Sequence, residues 1–234
     1  MTRADILITA SELARHLVAG RPVNVLDVRW ELTQPDGREA FSAGHVPGAV
    51  YVTLEDELTD QAVSGRGRHP LPSGPALEEA ARRWGMRAGV PTVVYDDWNR
   101  AGSARAWWLL TTAGVEDVRI LDGGLSAWVD SGGELETGFT TVGLGDVTIT
   151  HHDLYQGELP TLTADRTAEL AGPLLDALHR RRPGRLLLEQ HLDVIVAVIV
   201  ARGNHVLSAV GVVEDHVLGE KLAGAGLGHS KALL

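Results

Sequence analysis

The stretch TVVYDDWNRAGSARAWWLL, Thr92 to Leu110, decides the fold. TVVYD is a short apolar run that suits a strand buried on both faces, DWNRAG is a tight polar loop, and SARAWWLLTTAG continues as a helix. A strand, a tight loop and a helix in that order are how α/β proteins present a reactive group at the end of a sheet. Working outward, VNVLDVR (Val23 to Arg29) and VRIL (Val118 to Leu121) read as further strands. GPALEEAARRWG reads as a helix with Leu77, Ala81 and Trp84 in phase. Near the start, Thr9 and Glu12 have the spacing of a capping box, Leu13 and Leu17 share a helical face, and Gly20 suits the helix end. Short strands alternating with helices imply an α/β fold with a central, mainly parallel sheet and helices on both faces. In such sheets the crevice that does chemistry lies at the carboxyl ends of the strands.

Composition bounds the function. The chain has 234 residues and a mass of 25.0 kDa, enough for one large domain or two smaller ones. Hydrophobic residues make up 44% and charged residues 22%, which excludes a disordered chain. A net charge of −10 repels phosphate backbones and anionic lipid, so neither nucleic acid nor a membrane surface is an expected partner. The opening MTRADILITASELARHL lacks the apolar core of a signal peptide. The run VIVAVIVA (Val194 to Ala201), bounded by Asp193 and Arg202, is too short to span a bilayer, and a cytoplasmic location is the expectation. There is no cysteine, which removes disulfides, thiolate metal sites and a thiol nucleophile together.

Residues 1–135 read as the first domain. The Gly-, Thr- and acid-rich residues 136–160 read as a linker over the surface. Residues 161–177, TLTADRTAELAGPLLDA, echo the opening helix and first strand, so a second copy is expected to begin near residue 161.

Six motifs in order carry a resemblance: VLDVRW (25–30), FSAGHVPGAVYV (41–52), GRHPLP (67–72), VVYDDWN (93–99), ARAWWLL (104–110) and LDGGLSAW (121–128). Together they resemble the amino-terminal half of tandem-domain rhodaneses, the thiosulfate and 3-mercaptopyruvate sulfurtransferases. The resemblance implies two similar α/β domains with the active site at their interface. There a cysteine in the second domain, cradled by backbone amides at a helix start, alternates between thiolate and persulfide. Amides and a helix N-terminus stabilise the anion and keep the sulfur nucleophilic. The substrate it implies is a small anionic sulfur compound, and it implies no cofactor.

At the equivalent loop of the first domain this chain has Asp96. A carboxylate there would accept the hydrogen bonds that a persulfide would use and so plug the cradle. The alternative is an Asp96 and Asp97 pair that holds a metal or activates water, but neighbouring loop side chains usually point apart. Arg29, Arg100 and Arg105 are the candidates for binding an anionic substrate; Arg29 is equally able to pair with Asp27 or Asp96. His45, before the Pro47–Gly48 turn, is expected to tie its loop to the adjoining strand, and Gly123 and Gly124 to meet the backbone demands of a strand-to-helix turn. Trp107 and Trp108 are either core or a stacking surface. His151, His152 and Asp153 read as solvated rather than metal-binding, and no metal is expected.

After about residue 177 the pattern departs from the family. Arg180, Arg181, Arg182 and Arg185 match no particular substrate-gripping position, and GNHVLSAV (203–210) echoes GHVPGAV only faintly. Either the reading frame has shifted or been truncated, or half a domain has been replaced; the abruptness favours the first. The β-branched Val194 to Val200 segment is an aggregation hazard unless it is buried. Two functions therefore stand side by side: a sulfurtransferase by family, and by residue inventory an inactive chain or a non-catalytic rhodanese-like binding module. Oligomeric state is not legible.

Overall fold

A computed structural model describes residues 2–64 and 66–162, together with Arg166 and Glu169. Its first compact unit comprises Met1–Val63 and His69–Leu159; the second, Ser64–Arg68 with Pro160–Leu234, falls almost wholly outside the described residues. The expectations for a second domain from residue 161, and for its departure after 177, therefore lie outside them.

The first unit is a five-stranded parallel sheet with helices. In chain order it runs α1 (Arg3–Ile6), β1 (Leu7–Ile8), α2 (Ala10–Val18), β2 (Asn24–Val28), α3 (Arg38–Ala43), β3 (Val50–Val52), α4 (Gly74–Arg83), β4 (Thr92–Tyr95), α5 (Ala101–Thr112), β5 (Val118–Leu121) and α6 (Gly124–Asp130). The strand order is β1-β5-β4-β2-β3, and every pairing is parallel. The chain leaves β2 toward β3 on one side and leaves β4 toward β5 on the other. The loops after β2 and β4 thus diverge and open a crevice between two neighbouring strands, which is where this class of sheet places a site. None of the described helices is long and apolar enough to cross a membrane.

Local chemistry explains the elements that the sequence announces. Thr9 Oγ1 accepts from the Glu12 amide at 3.2 Å while Glu12 Oε2 accepts from the Thr9 amide at 2.9 Å, a complete capping box on α2. Gly20 follows with φ +60°, the left-handed conformation that ends a helix cheaply only in glycine. All four residues of β4 are buried, as are Val25, Leu26, Asp27 and Val28 of β2, because helices cover both faces. Leu13, Val25, Phe41, Val93, Tyr95, Leu121 and Trp128 meet in one core cluster. Trp108 joins the buried set, whereas Trp107 is half-buried and donates to the Val118 carbonyl at 3.0 Å.

The segment read as a surface linker is instead a strap that completes the core. Val147, Ile149 and Leu154 are buried. Its backbone binds the ends of two helices: Gly145 N donates to Arg82 O at 2.8 Å, Asp146 N to Met86 O at 3.0 Å, Thr150 N to Ala113 O at 3.2 Å and Glu158 N to Thr112 O at 2.9 Å. Helix C-termini leave carbonyls without intrahelical partners, and a peptide laid across them supplies the missing donors. The fit is close, since a Cβ on Gly145 or Gly157 would strike the Met86 or Thr112 carbonyl. His151 pairs with Glu158 at 3.1 Å, the His152 carbonyl accepts from Gly74 N at 2.8 Å, and Asp153 caps a short 3-10 turn, Leu154–Gln156, at Tyr155 N. These three residues work in the strap's own packing.

Candidate functional site

The loop after β4 closes on the carboxyl group of Asp96, which is 3% exposed. Oδ1 accepts from the amides of Trp98 and Arg100, both at 3.2 Å, and from Arg100 Nη1 at 3.0 Å. Oδ2 accepts from the Ser103 amide at 3.0 Å and the Ser103 hydroxyl at 2.6 Å. Three of the amides that a ligand at this helix start would seek are thus turned inward on one side chain. Two close approaches fix the loop. A Cβ on Gly102 would lie 2.5 Å from the Val28 carbonyl, and one on Gly124 would lie 2.5 Å from the Asp96 carbonyl. Gly123 and Gly124 both have positive φ, which lets α6 begin against the loop, where Leu125 N donates to Asp96 O at 3.0 Å.

Arg100 holds the loop from within. It is left-handed at φ +69°, a strained conformation for a residue with a Cβ, and offsets that cost with bonds to Asp96, the Trp98 carbonyl and the Gly123 carbonyl. Arg105 is buried one turn further along α5. Its Nε and Nη2 donate to the carbonyls of Leu58, His69 and Pro70 at 2.7–3.2 Å. Burial pulls its guanidinium down to about 10, against the weaker raising influence of Tyr155 and Glu55. Of the three arginines expected to grip an anion, two are thus committed to loop carbonyls and to Asp96.

Arg29 is the third and has carboxylates on two sides. Its Nε and Nη2 lie 3.0–3.1 Å from Asp27, Nη2 donates to the Gly44 carbonyl at 2.5 Å, and Nη1 is 3.4 Å from Asp97 Oδ2. Arg29 directly follows β2, and its side chain returns to Asp27 two residues back, the spacing at which side chains along an extended chain share a side. Parallel register sets Tyr95 beside Asp27, where the phenol hydrogen-bonds the carboxylate while accepting from Val46 N at 2.9 Å. Burial pushes the Asp27 carboxyl up to about 6, against the lowering pull of Arg29 and Tyr95. Asp97 points to Arg29 and Asp96 into its own amides, so the two neighbouring carboxylates diverge. A small cleft of about 50 Å3, lined by Arg29, Trp30, Asp36, Gly37 and Asp97, opens beside this cluster.

His45 lies under the crevice and is fully buried. A carbonyl can only accept, so Nδ1, 2.9 Å from Phe41 O, carries the proton, and Nε2 faces the Thr140 hydroxyl at 3.3 Å. The ring stacks on Phe41 at 3.9 Å. Its backbone bridges Glu136 in both directions, so its loop is tied to the start of the strap as well as, through Val46 N and the Tyr95 hydroxyl, to β4. Pro47 and Gly48 occupy the central positions of the Val46–Ala49 turn, where φ +76° suits the glycine, and Gly48 N donates to Glu136 at 2.7 Å.

Sequence reasoning did not place Tyr95, Ser103 or Asp97 in this arrangement. Ser103 had a signal, since it opens the helix seven residues after Asp96; Tyr95 meets Asp27 only through strand pairing.

The model of the rhodanese-like domain matches residues 9–131, more than half of the chain. The chain belongs to the rhodanese-like family. It is 51% identical over 232 residues to SseB of Mycobacterium tuberculosis, named as a thiosulfate sulfurtransferase, covering 99% of this chain and 78% of that protein. That alignment therefore continues past residue 177. Escherichia coli 3-mercaptopyruvate sulfurtransferase is 34% identical over 124 residues, 52% of this chain and 43% of the enzyme. The crystal structure of Escherichia coli SseA, a 3-mercaptopyruvate sulfotransferase with the rhodanese fold, superposes with a TM-score of 0.59 at 27% identity, over 74% of this chain and 62% of SseA.

Proposed function

We propose that this chain carries a catalytically silent rhodanese-like domain, one that keeps the sulfurtransferase scaffold but does not itself carry sulfane sulfur. The observation that supports this reading is the inward closure of the cradle: Asp96 takes three loop amides, the Ser103 hydroxyl and the Arg100 guanidinium. None of the 234 residues is a cysteine, so no thiol is present to become a persulfide. A carboxylate is a poor nucleophile toward sulfane sulfur, and one so fully hydrogen-bonded is poorer still. On this reading Arg29, Arg100 and Arg105 hold the crevice end of the sheet together. A small anionic sulfur compound such as thiosulfate, the donor named for SseB, finds no free guanidinium among them. The domain then serves as a cytoplasmic scaffold or binding module, followed from about residue 161 by a divergent second rhodanese-like domain.

The test is thiocyanate formation from thiosulfate and cyanide by the purified 234-residue chain. No rate above a protein-free control is expected. Asp96→Cys is expected to restore little, because Arg29 and Arg105 stay engaged with Asp27, Asp97 and loop carbonyls, and Arg100 keeps its bonds to the Trp98 and Gly123 carbonyls. A rate that follows the native protein through purification would show sulfur moving without a protein thiol and would refute the proposal.

A further inference from the structure

We propose that the Arg29 cluster is a proton-sensitive latch that transmits the charge state of buried Asp27 to the loop 96–103. The inference stands on the connectivity of one guanidinium. Arg29 joins the end of β2 through Asp27, the turn before β3 through the Gly44 carbonyl, and the loop after β4 through Asp97. Tyr95 extends the same network to Val46 N. Three segments of the crevice end thus meet at a cation that is 4% exposed, beside a carboxylate that is wholly buried.

With both carboxylates ionised, one guanidinium serves two of them, and the buried cluster holds a net negative charge. Its contacts are unequal: bonds of 3.0–3.1 Å to Asp27 and an ion pair of 3.4 Å to Asp97. A proton on Asp27 brings the cluster to neutrality and sets an O–H where Arg29 now donates. Arg29 then has Asp97 as its sole anionic partner, and the pull on Asp97 strengthens. Asp97 immediately follows Asp96 and precedes Trp98, whose amide is one of the three donors in the cradle, so the change reaches the loop within one residue.

The charged and titratable groups that face Asp27 are Arg29 just past the end of its own strand, Tyr95 on β4 and Asp97 on the loop. Tyr51 on β3 turns away, its hydroxyl accepting from Gly37 N and facing Asp36. His45 directs its two nitrogens at Phe41 O and Thr140, and Asp96 is held by its own amides and Arg100. Burial raises the Asp27 carboxyl to about 6, which places the transition within reach of cellular pH. The inference is independent of whether the chain transfers sulfur.

The experiment is a pH titration of the isotopically labelled full chain by nuclear magnetic resonance from pH 4.5 to 8. It follows the Asp27 side-chain carboxyl carbon, the Arg29 Nε–H and the amides of Trp98, Arg100 and Ser103. All are expected to shift with one common midpoint near 6. In Asp97→Asn the Asp27 carbon is expected still to titrate, while the loop amides lose that shift. Loop amides that stay still in the native chain, follow another group's midpoint, or keep the shift in Asp97→Asn would overturn the proposal.

Discussion

The loop 96–103 and the strap 136–159 are both irregular, Gly-bearing segments, yet they are held by opposite means. The loop is fixed by one side chain whose partners lie two to seven residues away. The strap is fixed by backbone bonds to carbonyls 37 to 96 residues distant, as in Thr150 to Ala113 and Gly138 to Ser42, and by three buried apolar side chains. A segment of the first kind can be read from its own sequence. A segment of the second kind is legible only from what it covers, and its stability belongs to the whole domain.

The largest effect should come from removing the strap. A chain ending at residue 135 exposes the surfaces that Val147, Ile149 and Leu154 cover and strips donors from the ends of α4 and α5, a loss on the order of 5 kcal/mol or more. That is a large fraction of a typical domain's stability. Thermal unfolding should be cooperative for residues 1–159 and broad or absent for 1–135. Equal melting of the two would mean that the strap is the surface linker its composition suggests.

The loop should break through one residue. Asp96→Ala leaves three amides, a hydroxyl and Arg100 without their acceptor and should cost roughly 3 kcal/mol, measured by urea unfolding. Ser103→Ala should cost about 1 kcal/mol, because Oδ2 keeps the Ser103 amide. Similar values for the two variants would mean that the loop is held by its packing at Gly102 and Gly124 instead.

The third effect separates the regions by pH. The folded Asp27 carboxyl is raised to about 6 from an ordinary 3.8, so the folded protein binds more protons than the unfolded chain between those values. This contribution to stability is present at low pH and declines as pH rises through that window, by at most about 3 kcal/mol. Asp5, Glu12 and Asp36 are lowered by hydrogen bonds to Thr2, Thr9 and Arg38 and act in the opposite sense. The quantity to measure is therefore the stability difference between the native chain and Asp27→Asn at several pH values. It should shrink from pH 4 to 6.5 and then level off; a constant difference would show that Asp27 does not titrate in the fold. The backbone bonds of the strap should show no such slope.

How much was legible follows the same division. The capping box of α2, the buried run of β4 and the closure of the Asp96 loop depend on neighbours within a few residues, and the sequence displays them. The strand β1 has two residues and runs almost directly into α2, so no periodicity marks it. The helix α3 is only six residues long and lies between Gly37 and Gly44, too short to show a period, yet Phe41 is fully buried beneath the stacked His45. The three arginines were recognisable as important cations, but their partners were not. Gly44 O lies 15 residues from Arg29, and Leu58 O lies 47 from Arg105, so only folding reveals that these charges are already spoken for.

Asp96 also has a thermodynamic consequence. A binding loop that waits for a ligand is stabilised in proportion to the logarithm of that ligand's concentration. Here the anion is tethered to the loop it organises, so its effective concentration is fixed by the chain and does not fall on dilution. The cradle is permanently saturated, and its folded state owes nothing to the anions around it.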